Sequence, residues 1–157
     1  MARIQMVVFD IDGREFGIDA KLVNGIMRAN KVSIQTVPSS SDAIEGMINW
    51  RGKVSYVLNL RKKFKLDRQS FAEERKIMMA YANDSIVGFL VDEVTDIITF
   101  NSEEIEPAPS FIQQSLNQCI TGIGKIEDRL VVMLDLDKIL VSGEVDSALL
   151  GSLIVSS

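Results

Sequence analysis

Apolar residues along this chain recur mostly in short runs broken by turn dipeptides, a pattern of strands rather than helices. Asp12-Gly13 separates VVFDI from REFGI, and Asn83-Asp84 separates IMMAYA from SIVGFLV. Both pairs can reach left-handed backbone angles, so each predicts a tight hairpin. Arg51-Gly52 and Glu127-Asp128 predict two more. After Arg51-Gly52 the run alternates, with Val54, Tyr56, Leu58 and Leu60 on one side and Lys53, Ser55 and Asn59 on the other. That alternation predicts a half-buried strand. Asn59 and Asp135 each stand where an N-cap would start a short helix.

The punctuation repeats. Laying residues 13–26 on 84–97 superposes Gly17 on Gly88, Val23 on Val94 and Ile26 on Ile97. Laying 46–64 on 122–140 superposes Gly46 on Gly122, Leu58 on Leu134, Leu60 on Leu136 and Lys62 on Lys138. Few residues are identical, but the order of features is the same in both halves. The expectation is two similar β lobes, each a small curved sheet or barrel, with approximate bounds 13–64 and 76–141. The strand at 3–11 and the segment 142–157 would pack between or against them. Connectors are expected at 35–45, at 65–75 and at 101–118, the last with Ser102 capping Glu103 and Glu104 and a helical turn from Phe111.

Composition narrows the function. The chain has 157 residues, 46% of them hydrophobic, enough for one globular domain of two small lobes. No apolar run approaches the ~18 residues of a membrane span. The opening MARIQMVVFDIDG reaches an aspartate too early for a secretory signal, so a cytoplasmic protein is expected. Histidine is absent, which removes Ser-His-Asp and Cys-His catalysis and His-ligated zinc. The single Cys119 has no disulfide partner and no metal-ligand spacing, and it lies in a strand-like run where a buried thiol is expected. A net charge of −5 opposes nucleic-acid binding, and the basic stretch Arg61, Lys62, Lys63, Lys65 and Arg68 reads as a solvated helix face.

One motif invites an enzymatic reading. VVFDIDG resembles the first motif of haloacid-dehalogenase-type phosphatases, in which two aspartates, here Asp10 and Asp12, share magnesium. Arg14 follows where that motif normally continues with Thr, and REFGI reads as a return strand rather than a helix. GIGK lacks the length and the Ser/Thr of a phosphate loop, and Asp92, Glu93 and Asp96 lack the oxygen-rich loop of a calcium site. The residues offer surfaces, not a reaction centre.

GMINWRGKVSYVLNLRKKF, with FGIDAKLVNGI, VGFLVDEVTDI, EIEPAPSF and ITGIGKIEDRLVVMLDLDKIL in that order, is similar to the CheW family of chemotaxis coupling proteins. The likeness covers roughly residues 4 to 141. It implies a mainly β fold of two five-stranded SH3-like barrels around a shared apolar core, with a few short helices. It implies a non-enzymatic scaffold without cofactors, joining the cytoplasmic tips of methyl-accepting chemoreceptors to the regulatory domain of the histidine kinase CheA. It further implies rings that other CheW-like domains join, with membrane association through the receptor array alone. Carried over by position, Val23, Gly25, Ile26, Ile34, Glu45 and Gly46 would face the kinase. Arg51, Gly88, Val91, Val94, Ile97 and Gly122 would line the receptor groove. The chain departs from the family pattern at Gly25, where Glu is common, at Trp50 for Leu, Tyr56 for Pro and Asn59 for Asp, and in the connector from Ser39 to Asp42. Such departures would suit an adaptor for a particular receptor set, or for a pathway other than swimming.

Overall fold

The computed structural model describes residues 2–38, 43–64, 66, 74–108 and 119–141. Eleven strands and two short helices follow one another along them: β1 (Arg3–Ile11), β2 (Arg14–Asp19), β3 (Val23–Arg28), β4 (Ile44–Trp50), β5 (Lys53–Asn59), α1 (Leu60–Lys63), β6 (Lys76–Ala82), β7 (Ser85–Val91), β8 (Glu93–Asn101), β9 (Ile105–Glu106), β10 (Ile120–Ile126), β11 (Arg129–Leu134) and α2 (Leu136–Val141). The four turn dipeptides close four antiparallel hairpins: β1–β2, β4–β5, β6–β7 and β10–β11. In three of them both turn residues have positive φ: Asp12 and Gly13 at 55° and 77°, Arg51 and Gly52 at 51° and 83°, Asn83 and Asp84 at 48° and 63°. That handedness matches the twist of the flanking strands. Asn59 accepts from the Lys62 backbone N–H, and Asp135 from those of Asp137 and Lys138, so both expected helix caps are made.

The strands form a six-stranded sheet, ordered β8-β1-β2-β11-β10-β9, and a five-stranded sheet, ordered β3-β6-β7-β5-β4. The sixth strand is the two-residue β9. Matching β1–β2 to β6–β7, β3 to β8 and β4–β5–α1 to β10–β11–α2 maps one sheet order onto the other. The repeat is therefore structural. Each sheet has one parallel contact, β2 with β11 and β5 with β7, joining strands distant in sequence.

The sheets do not follow the expected division at 13–64 and 76–141. Residues 20–22 carry the chain from β2 into the other sheet, and Asp92 carries it from β7 back again. Each half thus supplies its first hairpin, β1–β2 or β6–β7, to one sheet and its later strands, β3–β5 or β8–β11, to the other. β1 is an inner strand of the six-stranded sheet, not a piece packed between lobes. The segment 142–157, most of 65–75 and the turn expected from Phe111 lie outside the described residues.

Alternation along the strands sorts the apolar residues into three cores. Met6 and Val8 of β1 join Phe100, Val131 and Met133 in a cluster on one face of the six-stranded sheet. Ile77 and Met79 of β6 join Ile48, Val57 and Leu90 on the matching face of the five-stranded sheet. The opposite faces, with Val7, Phe9, Phe16, Leu58, Met78, Phe89 and Leu136 among them, share one central cluster. Inner strands are covered on both sides. For β5 this revises the half-buried expectation, since Ser55, Val57 and Asn59 are as buried as Tyr56 and Leu58, and Val54 is exposed. One cap also moves by a residue: the Asn101 backbone N–H donates to Glu104 Oε1 at 2.7 Å, making Asn101 rather than Ser102 the N-cap of the turn at 102–104.

Candidate functional site

The outer strands of the five-stranded sheet, β3 and β4, approach each other at one end through Trp50. Its indole N–H donates to Asn24 Oδ1 at 2.8 Å. Its ring lies against Gly25 so closely that a Cβ there would sit 2.7 Å from two ring carbons. The Arg51 guanidinium stacks on the same ring, 4.6 Å from its centroid, and donates to Asn24 Oδ1 at 3.3 Å. Asn24 in turn donates to the Tyr81 hydroxyl at 3.2 Å. These side chains line a cleft of about 880 Å³ with Lys53, Val54 and Ile86. Ile26, on the same edge strand, is 45% exposed, and Val54 is 49% exposed.

The matching end of the six-stranded sheet has the same geometry and opposite chemistry. Ile126 stands at the repeat position of Trp50, Asp96 at that of Gly25, Arg129 at that of Lys53, Glu15 at that of Ile86 and Asp10 at that of Tyr81. Arg129 donates to Glu15 at 2.5 Å and to Asp96 at 2.6 Å, spanning four strands. These two hydrogen bonds hold the guanidinium firmly protonated. Asp10 lies among them on β1, and its pKa is raised, first by burial and then by the neighbouring charges of Asp92, Glu15 and Asp12. Here too the edge strand carries an exposed aliphatic, Ile97 at 63%, and the hairpin another, Leu130 at 61%. An apolar cleft of about 520 Å³, lined by Phe16, Ile120, Ile123, Leu130 and Val132, opens beside Arg129.

The residues expected at the kinase face fall on the two edge strands of the five-stranded sheet and the segment that crosses β4. Val23, Gly25 and Ile26 are on β3, Glu45 and Gly46 on β4, and Ile34 packs over Gly46. Only some of them present side chains. Gly46 is buried where the Gln35 carbonyl crosses, 2.3 Å from the place of a Cβ, and Glu45 accepts from Asn59 Nδ2 at 2.8 Å. The residues expected in the receptor groove are more scattered. Val94 and Ile97 are on β8, Gly122 is buried against Ile105 and Glu106 on β10, and Gly88 and Val91 are core positions of β7. Arg51 belongs spatially with β3, through Asn24 and Trp50. The repeat explains the paired glycines: Gly46 lets the Gln35 backbone cross, Gly122 lets that of Glu106 cross, and each marks a shift in strand register.

Sequence reading assigned no role to Asn24 or Tyr81 and weighed Asp92 only as a calcium ligand. The signal available for Asn24 was its place beside Gly25, one of two departures that the structure shows to be a single feature: Gly25 leaves the space that Trp50 fills. Arg61 was misread. It is buried, with its guanidinium 2.5 Å from Asp92 and 3.6 Å from Asp12, so it ties the β1–β2 turn to the β7–β8 crossover. Of its basic neighbours, Lys62 is exposed and Lys63 half-buried, and Lys65 and Arg68 lie outside the described residues. Asp12, half of the would-be phosphatase pair, is thus engaged by a cation and also accommodates a turn, and REFGI forms β2 rather than a helix.

A family model described as CheW-like domain matches residues 5–144. The chain belongs to the CheW family. It is 35% identical to the chemotaxis protein CheW of Bacillus subtilis (strain 168), over 87% of this chain and 86% of that one. It is 29% identical to CheW of Klebsiella aerogenes, over 89% and 83%. Among solved structures, the scaffolding protein TtCheW of Thermoanaerobacter tengcongensis superposes with a TM-score of 0.80 at 27% identity, covering 88% of this chain and 93% of that one. Membership makes this a non-enzymatic chemotaxis adaptor of mainly β structure, and the phosphatase reading is set aside. Among the described residues no helix is long and apolar enough to cross a membrane.

Proposed function

We propose that this CheW-family protein couples the cytoplasmic tips of methyl-accepting chemoreceptors to the regulatory domain of the histidine kinase CheA, and is held at membrane-associated arrays by those partners alone. The observation that carries the reading is the pair of repeat-matched edge residues Ile26 and Ile97, both exposed, on different sheets and in opposite chemical settings. A scaffold that binds two unlike partners needs two such surfaces, and exposed aliphatics beside a polar rim fit protein contacts.

The kinase face is assigned to β3 and its surroundings: Val23, Ile26, Ile34 and Glu45, with Gly25 and Gly46 shaping the backbone. Arg51 joins this face because its contacts are Asn24 and Trp50. The receptor's helical hairpin is assigned to the β8 side, with Val94 and Ile97 as the apolar contacts and Val91 behind Val94 in the central core, while Gly88 and Gly122 are buried backbone positions against Ile77 and Met79 and against Ile105 and Glu106. An aliphatic edge strand suits a helix laid across it. Further CheW-like domains in a ring would use these same ends.

Isothermal titration of the chain with the kinase regulatory domain and with a receptor-tip fragment, each from the same organism, tests the reading. Micromolar or tighter binding to both is expected; binding to neither at tens of micromolar protein would refute it.

A further inference from the structure

We infer that Trp50, Asn24 and Gly25 are positioning residues, which hold the Arg51 guanidinium ready to receive a carboxylate of the kinase regulatory domain. The inference rests on the partner assignment just made.

It starts from a contrast among three arginines. Arg61 is ion-paired to Asp92 and Asp12, and Arg129 to Glu15 and Asp96. Arg51 is oriented instead by neutral groups: the Trp50 ring beneath it and the Asn24 amide oxygen beside it. Among the described residues no carboxylate meets it. A guanidinium fixed in place with its charge uncompensated, at the rim of an open cleft, is organised for an acidic ligand, because its ordering cost has already been met within the fold. Lys53, lining the same cleft, adds a second positive charge, against Asp84 alone on the negative side.

The supports have little other purpose at this position. At the repeat position of Trp50 the second lobe closes its sheet with Ile126, an aliphatic packed against its core. A plug therefore does not require an indole. The indole supplies what isoleucine cannot: a flat face for the guanidinium and an N–H for Asn24. Gly25 is the condition for both, since any Cβ there would push the ring out of place. Arg51 itself occupies a left-handed turn position at φ 51°, where glycine or asparagine would be less strained. Asn24 lies between Val23 and Ile26 on β3, which identifies the kinase domain as the source of the carboxylate.

Trp50 is the only tryptophan, so one indole N–H resonance reports on the site. The full chain, labelled with nitrogen-15, is titrated with unlabelled kinase regulatory domain, and affinities are measured by calorimetry in parallel. The indole peak should shift on saturation, and Arg51→Ala should weaken binding roughly 10-fold. Trp50→Ile, which keeps the aliphatic plug of the other lobe, should weaken it roughly 5-fold, and Trp50→Phe and Asn24→Ala by less. The decisive figure is the double variant: in the Trp50→Ile background, Arg51→Ala should cost no more than about 2-fold, because the guanidinium is no longer held. Arg51→Lys should retain less than half of the wild-type affinity, lacking the planar fork. Independent, multiplicative losses, or an Arg51→Ala variant within 2-fold of wild type, would overturn the inference while leaving the coupling role intact. Failure of the wild-type chain to bind the domain would overturn the coupling role and the inference together.

Discussion

The two sheet ends, one closed by Trp50 and the other by Arg129, are built from matched positions and yet are held by different forces. At the first, an indole fills the space left by Gly25, and a cation stacks on it without a counter-charge. At the second, Arg129 draws together Glu15 and Asp96, with Asp10 left among like charges. What the two ends share is what the fold demands: a turn at 51–52 and 127–128, a glycine where another backbone crosses, an aliphatic on the edge strand. What they do not share is free to be read by partners.

The largest effect should come from giving one end the residue of the other. Gly25→Asp, copying Asp96, places a Cβ and a carboxylate against the Trp50 ring. We expect a loss of about 2–3 kcal/mol in denaturant unfolding, by overpacking, and recovery of most of it when Trp50→Ile is added. No recovery in the double variant would mean that the ring contact is not the cause.

Next in size is Arg129→Leu, which leaves Glu15, Asp96 and Asp10 facing one another. These groups are partly exposed, so the loss at pH 7 should be about 1 kcal/mol, and it should shrink at acid pH as Asp10, whose pKa is raised, is neutralised. A loss independent of pH would instead assign the effect to packing.

Asp10→Asn should act in the opposite direction and more weakly. The folded pKa of Asp10 is raised, so the native state is favoured when this group is protonated, and that advantage is lost as pH rises through the folded pKa. The neutral variant should therefore melt slightly higher than wild type at pH 7, with the difference vanishing below the ordinary carboxylate range. The smallest stability effect belongs to Arg51→Gly: relief of the left-handed strain offsets the lost stacking, and unfolding should change by no more than about 0.5 kcal/mol.

Much of this architecture was legible in the sequence, for local reasons. Asp12-Gly13, Arg51-Gly52 and Asn83-Asp84 make turns because of their own backbone preferences, and Asn59 and Asp135 cap helices through contacts two or three residues away. The repeat could be read because it preserves such local signals. The switch of the chain from one sheet to the other after β2 and after β7 could not, since a turn dipeptide fixes its two flanking strands and says nothing of the strand beyond. Arg61 was illegible for the same reason: its burial depends on Asp92 and Asp12, distant in sequence, while its neighbours Lys62 and Lys63 give it the look of a solvated charge. At the site, Gly25 and Trp50 could each be seen as unusual, but their compensation is a contact between opposite edges of one sheet.

The central claim is that the two ends face different partners, and charge reversal at the matched edge residues tests it most directly. Binding of the kinase regulatory domain and of a receptor-tip fragment would be measured by calorimetry for wild type, Ile26→Glu and Ile97→Glu. Both residues are exposed, so both variants should fold. Ile26→Glu should weaken the kinase domain at least 10-fold and the receptor fragment by less than 2-fold, and Ile97→Glu should do the reverse. Equal losses for both partners, or the opposite pairing, would contradict the account.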